Sequence, residues 1–194
     1  MRILRSAGYR RMPWKNGGGV TREVAISPAG ASMETMDWRI SLASVEEDGP
    51  FSIFTGVERT LCVVSGAGIQ LRVGALAPAD LLVTSEPYTF DGAAATHSRL
   101  LDGPIEDLNV MSRRERFRHS VWRLEVNETS AIATIAQVLL IYCQRGDVSL
   151  LSDTASEHLN CDDSAIFDQP TDAIIVATTQ TSEIIVAEFY RRAE

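Results

Sequence analysis

Histidine is scarce in this chain and badly placed for holding a metal. There are three, His97, His119 and His158, and nowhere do two stand one residue apart. Transition-metal sites need three or four converging ligands, so the spacing argues against a histidine-based centre, and no metal or other cofactor is expected. Cys62, Cys143 and Cys161 are odd in number and lack metal-type spacing. The first two lie in apolar runs that predict buried free thiols. No apolar run approaches the roughly 20 residues that span a bilayer. The opening Met1-Arg2-Ile3-Leu4-Arg5 lacks the apolar core of a signal peptide, and the expected compartment is the cytoplasm. Basic side chains number 18 against 26 acidic ones, for a net charge of -8 and a pI near 4.9. Nucleic acid and anionic membranes are thereby disfavoured as partners. No G-x-S-x-G elbow appears, and no Cys–His or Ser–His–Asp set assembles from the spacing. The sequence favours a binding protein over an enzyme and assigns no catalytic residue.

Lysine is nearly absent as well. Lys15 is the sole one among the 18 basic residues, and it sits in the most irregular stretch of the chain, Met12-Pro-Trp-Lys-Asn-Gly-Gly-Gly-Val-Thr-Arg-Glu-Val24. A compact ammonium on a flexible stem does what a broad guanidinium fork does not, so Lys15 is either a ligand anchor or an ordinary solvated side chain. The glycines Gly17, Gly18 and Gly19 invite a phosphate-loop reading. That reading needs a helix N-terminus directly after them, and Val20–Ile26 reads as strand instead. Either the glycines form a plain turn or they permit close backbone approach to a ligand or another strand.

What the chain does have is β structure. Its 194 residues, 45% hydrophobic and 23% charged, are enough for a stable core. Short β-branched runs bounded by turn residues predict strands at 2–5, 20–26, 38–45, 51–54, 59–64, 68–73, 80–84, 96–101, 106–111, 121–126, 132–142, 147–151, 164–167, 173–178 and 183–190. The best helical candidate is a single turn near Thr154–His158. Residues 60–84 and 138–167 share one plan of strand, glycine turn, strand, acidic turn, strand, which is the pattern of a cupin half-barrel. The fold class expected is all-β, two tandem cupin-like barrels, with residues 1–112 carrying the pocket and 113–194 forming the second barrel. Arg113-Arg114-Glu115-Arg116-Phe117-Arg118-His119 between them reads as a solvated connector or an anion site.

Strand alternation offers site candidates. Arg39, Ser41 and Ala43 share a face opposite Trp38, Ile40 and Leu42. Arg22 shares one with Val20 and Val24, and Asp107 and Asn109 share one with Met111. A polar residue on the buried side of a barrel strand must be hydrogen-bonded or face a cavity, which makes Arg22, Arg39 and Asn109 candidates for a polar lining. Phe51 and Phe54 could wall an apolar pocket or simply pack in the core. Glu23, Asp107 and Lys15 could meet in a fold, although nothing in the spacing requires it.

The segments Met12–Glu23, Trp38-Arg-Ile-Ser-Leu-Ala43, Gly49-Pro-Phe-Ser-Ile-Phe-Thr-Gly56 and Gly103-Pro-Ile-Glu-Asp-Leu-Asn-Val-Met111 resemble the HutD/Ves family. The likeness spans residues 1 to about 190, with its specific motifs before Met111. It implies a bicupin without the usual metal ligands, a homodimer, and a small-carboxylate partner of the urocanate or N-formyl-glutamate class, with a role in modulating histidine utilisation. The positions it marks for ligand binding are Trp14, Lys15, Asn16, Thr21, Arg22, Glu23, Arg39, Ser41, Phe54, Asp107 and Asn109, to which Gly17 in the same loop is added. Two other readings compete: a metal-free isomerase or lyase using Glu23 or Lys15 as acid or base, and a stress-related protein-interaction module.

Overall fold

A computed structural model describes residues 1–14, 18–152 and 155–193. These form nineteen strands and one 3-10 turn at Ser6–Gly8. In chain order the strands are β1 (Arg2–Leu4), β2 (Arg10–Pro13), β3 (Gly19–Ser27), β4 (Trp38–Val45), β5 (Gly49–Pro50), β6 (Val57–Ser65), β7 (Ile69–Val73), β8 (Ala79–Leu81), β9 (Tyr88–Asp91) and β10 (Thr96–Leu100). There follow β11 (Ile105–Arg113), β12 (Phe117–Val126), β13 (Thr129–Ile132), β14 (Val138–Arg145), β15 (Asp147–Ser152), β16 (Ala155–Asn160), β17 (Ser164–Asp168), β18 (Ile174–Ala177) and β19 (Ser182–Arg191).

The strands gather into two compact units, one of Arg10–Arg118 and one of Met1–Tyr9 with His119–Glu194. The unit limits thus lie at 9/10 and 118/119, whereas the 112/113 boundary expected from sequence lies within β11. One hydrogen-bonding plan is used twice. In the first unit the sheets run β2-β3-β4-β11-β6-β9 and β5-β10-β7-β8; in the second they run β1-β17-β14-β19-β12 and β13-β18-β15-β16. Each strand from β4 to β11 therefore has a counterpart eight strands later, from β12 to β19. The sheets pair face to face without closing into a hydrogen-bonded ring, and each pair encloses an interior. Val45, Leu61, Ile69, Leu71 and Ile105 fill part of the first interior. Leu139, Ile141, Val148, Leu150, Ile184 and Val186 pack the second.

Most predicted strands are present, and the departures have physical causes. Residues 51–54 are not a strand: Phe51 N–H donates to Thr96 at 2.9 Å and Phe54 N–H to Gly92 at 2.8 Å, so a loop carries the two rings inward. The single strand predicted at 132–142 is two, separated where the Thr134 hydroxyl accepts from Ala136 N–H at 3.0 Å. Of the helical turn predicted at 154–158, Thr154 lies outside the described residues, and residues 155–158 are instead part of β16, paired residue by residue with β15. That strand, and not 164–167, is the counterpart of β8 in the repeat. The unpredicted β2 and β9 sit at sheet edges, where one face and one partner suffice and apolar alternation is weak.

The arginine run is not a free connector. Arg113 donates to the carbonyls of Met33 at 2.8 Å and Met36 at 3.2 Å. Arg114 pairs with Asp91 at 3.1 Å and Arg116 with Asp37 at 2.8 Å. The Arg113 and Arg116 contacts tie down the 31–37 segment, part of which lines the cavity described below.

The first nine residues are fixed to the second unit by strand pairing and by one carboxylate. β1 pairs antiparallel with β17, Arg2 opposite Ile166. Asp163, 4% exposed, accepts from Arg5 at 2.8 Å, Ser6 N–H at 2.9 Å and Asn160 N–H at 3.2 Å. Burial alone would raise this carboxyl, but the Ser6 amide, Arg5 and the Asn160 amide outweigh it and hold it below the usual carboxylate range. A folded-state pKa below the unfolded one contributes stability at neutral pH that is lost as acid protonates the group. Asp163→Ala is expected to cost about 2 kcal/mol and to speed amide exchange selectively over residues 2–8. Unchanged protection there would show that strand pairing alone holds the segment.

Candidate functional site

The first unit contains a cavity of about 700 Å³. Alternation along the central strands builds its polar wall. On β4 the inward positions are Arg39, Ser41 and Ala43; on β11 they are Asp107, Asn109 and Met111; β3 adds Thr21 and Glu23, and β6 adds Arg59. On the outward face of the same two strands Ile40, Leu42, Leu108 and Val110 are fully buried as well, while Ser44 and Glu106 are partly exposed. Phe51 and Phe54 from the 50–54 loop, Trp14, and Ala31 to Met33 complete the lining.

Two networks organise the charges. Glu23 accepts from Arg39 Nε at 2.8 Å and lies 3.5 Å from the exposed Arg10; Arg39 also reaches the Ser41 hydroxyl at 3.4 Å. Deeper, Arg59 Nη2 donates to Asn109 Oδ1 at 2.7 Å, and the Asn109 amide donates to Asp107 Oδ1. The Arg59 guanidinium stands 5.1, 5.5 and 5.2 Å from the ring centres of Phe51, Phe54 and Phe90, within cation–π range of all three. Burial lowers Arg59 to about 10, which leaves it charged at neutral pH. Two buried side-chain polar atoms among the described residues lack a hydrogen-bond partner, Arg59 Nε and Asp107 Oδ2, and both residues line this cavity. Native proteins seldom leave such atoms unsatisfied. In the lining, Arg10, Arg39 and Arg59 outnumber Glu23 and Asp107 by one, although the chain as a whole carries a charge of -8.

The repeated fold shows that these polar residues are not demanded by the architecture. The β6–β11 ladder has a bulge between Glu106 and Asp107, and the β14–β19 ladder has one between Cys143 and Arg145. Matching the two bulges puts Leu139 in the place of Arg59, Ile184 in that of Asp107 and Val186 in that of Asn109. All three belong to the apolar core of the second unit. One barrel is filled with hydrocarbon where the other presents an arginine, a carboxyl and an amide to a cavity.

The entrance to β3 accounts for one of the three glycines. Trp14 N–H donates to the Gly19 carbonyl at 2.9 Å, and its indole N–H donates to Thr21 Oγ1 at 2.8 Å. A Cβ on Gly19 would stand 2.2 Å from the Ser44 carbonyl oxygen and 3.1 Å from the Trp14 ring. Close approach, not phosphate binding, is what Gly19 permits.

Of the residues singled out in the sequence, Trp14, Thr21, Glu23, Arg39, Ser41, Phe54, Asp107 and Asn109 converge on the cavity. Arg22 does not. It lies on the opposite face of β3 and pairs with Glu106 at 2.5 Å, because the polar row of this sheet, and not the row containing Val20, faces the interior. Lys15, Asn16 and Gly17 lie outside the described residues. Arg59 was missed, though a signal existed: it occupies the same alternate row as Val57, Leu61 and Val63, a charge in the middle of a buried apolar row.

Cys62 and Cys143 are buried free thiols and Cys161 is exposed. His97 and His158 are exposed, and burial pushes His119 down to about 4. Among the described residues no group of three or more His, Cys, Asp or Glu is placed to hold a metal ion, and no helix is long and apolar enough to cross a membrane.

Comparison with known proteins agrees with this picture of the fold. An uncharacterized 21.2 kDa protein from the hutC 3′ region of Pseudomonas putida is 33% identical over 151 residues, 77% of each chain. The Ves protein of Citrobacter koseri is 37% identical over 116 residues, 58% of this chain and 59% of its own. The structure of HutD from Pseudomonas fluorescens SBW25 matches with a TM-score of 0.85 at 31% identity, covering 99% of both chains. A cupin 2 conserved barrel domain protein from Leptotrichia buccalis, 8% identical, matches with a TM-score of 0.59 over 92% of this chain and 95% of its own, a likeness of fold alone. The HutD family model matches residues 6–186, and the chain, an all-β protein of tandem cupin-like units, therefore belongs to the HutD family.

Proposed function

We propose that the protein binds a small carboxylate metabolite in the cavity of its first unit, without a metal, and acts in the cytoplasm to modulate histidine utilisation. The observation that carries this reading is the buried Arg59, with an unpaired Nε, in a cavity whose lining is net positive inside an acidic protein. A guanidinium recognises a carboxylate through parallel N–H donors, and the surrounding phenyl rings exclude water that would weaken the contact. The location of the Pseudomonas putida relative beside hutC supports ligands of the urocanate or N-formyl-glutamate class. Trp14 and Phe54 would bracket the organic portion, with Lys15, Asn16 and Gly17 contributing from the adjoining segment.

Calorimetry with urocanate, N-formyl-L-glutamate and related acids tests the proposal. A charge-assisted contact contributes about 1.5–3 kcal/mol, so two of them with stacking give affinities on the order of micromolar. Lys15→Ala is expected to weaken binding about tenfold or more. Unaltered affinity in that variant would remove Lys15 from the site, and the absence of binding to any of the acids would refute the reading. A homodimer is part of the same proposal, and light scattering on the purified protein tests it.

A second reading, a metal-free isomerase or lyase, is favoured by one observation. Burial raises the Asp107 carboxyl to about 7, where it can give or take a proton at neutral pH. Conversion of any of these acids, followed by NMR, would replace the binding role with this one.

A further inference from the structure

Anion binding by Arg59 makes no use of the most unusual atom in the cavity wall. Asp107 is wholly buried; its Oδ1 accepts from the Asn109 amide and its Oδ2 has no partner. An ionised carboxylate half-satisfied in a dry wall is costly, whereas a carboxylic acid there holds a free O–H donor. The fold does not require an acid at this position, since its counterpart in the second unit is Ile184, inside an apolar core.

The charged groups around it come from every strand of the polar wall. Arg59 lies on β6, Arg39 on β4, Glu23 on β3 and Arg10 on β2, and the 50–54 loop brings only uncharged side chains, Phe51, Ser52 and Phe54. Glu106, the next residue on β11, is directed to the opposite face and paired with Arg22. Burial is the largest influence on Asp107; Arg59 opposes it, Glu106 reinforces it, and the carboxyl stands near 7.

We infer that, given the anion-binding role proposed above, the pocket takes up its organic anion together with one proton, which Asp107 holds on Oδ2 as a hydrogen-bond donor to the bound carboxylate. The proton comes from water and returns to it on release. A carboxylate seated on Arg59 offsets the cation that favours ionised Asp107 and adds a like charge beside it, and both effects favour the acid form. Below about pH 7 the acid is already protonated and the anion binds at full strength. Above it each anion must bring a proton, so Kd rises about tenfold per pH unit until the bound-state pKa is reached.

Calorimetry with N-formyl-L-glutamate, whose carboxylates stay ionised across the range, provides the test when run in buffers of different ionisation enthalpy. At about pH 8.5 close to one proton is expected to be taken up per ligand bound, and at about pH 5.5 close to none. Asp107→Asn, which presents an N–H donor at every pH, is expected to bind with no proton uptake and with a Kd that does not follow pH. The ¹³C resonance of the Asp107 carboxyl in the unliganded protein should titrate near neutrality, a readout that needs neither variant nor ligand. Binding without proton uptake at about pH 8.5, or an Asp107 resonance titrating in the ordinary carboxylate range near pH 4, overturns the proton linkage and leaves anion binding standing. No binding at either pH overturns both.

Discussion

Replacing Arg59 with methionine is expected to lower affinity for N-formyl-L-glutamate about tenfold to a hundredfold, from the loss of one charge-assisted contact of about 1.5–3 kcal/mol. The protein should stay folded. Methionine is flexible and apolar and can lie against Phe51, Phe54 and Phe90, which now surround the guanidinium. Exchanging a buried charge for a hydrophobic side chain is often neutral or stabilising. Against that, Asn109 Oδ1 loses its 2.7 Å donor, an unsatisfied acceptor costing about 1–3 kcal/mol. Asp107 loses the cation that opposes its burial and remains neutral to higher pH. Net stability should therefore change by no more than about 2 kcal/mol, measured by thermal unfolding without ligand. Wild-type affinity in a folded Arg59→Met protein would transfer the anion to Arg39 or to another site altogether.

The second large effect concerns a single methyl group. Gly19→Ala is expected to destabilise the protein by about 2–3 kcal/mol, lowering the melting temperature by about 5–10 °C. The new Cβ would stand 2.2 Å from the Ser44 carbonyl oxygen, and a backbone group in a strand cannot step aside without breaking the β3–β4 ladder. The same methyl presses on the Trp14 ring at 3.1 Å. Because that indole lines the cavity, the variant should show altered tryptophan fluorescence and weakened ligand binding as well. Gly49→Ala is the control: an added Cβ there meets nothing within 4 Å, and its melting temperature should stay within a degree or two of wild type. Equal melting temperatures for the two variants would show that β3 can shift away from β4 at little cost.

Much of the architecture could be read from the chain because its strands obey the two-residue alternation and its turns carry glycine, proline and aspartate. Elements that failed to appear in that reading lie at sheet edges, like β2 and β9, or owe their shape to a distant partner, like the loop at 51–54 that hangs from Thr96 and Gly92. The site was readable to the extent that polar residues stood out. Arg39, Ser41, Asp107 and Asn109 form rows opposite apolar ones, and these rows face one cavity. Alternation does not say which of two buried faces looks inward. In β3 the row containing Val20 reads as the inner one, yet Arg22 in that row faces away from the cavity and pairs with Glu106. Arg59 is harder to place: its charge stands out within the apolar row of its strand, but nothing local marks the phenyl rings that receive it.

The pairing of β1 with β17 has a consequence for how the protein is made. During synthesis Arg2 leaves the ribosome long before Ile166, the residue it will stand beside, so the leading strand must wait with its edge open while the Arg10–Arg118 unit can already close. A bulky fusion ahead of Met1 would burden the later-folding barrel rather than the one that carries the cavity. Yields in such fusions should depend on the folding of the trailing barrel, even though the added mass precedes the leading one.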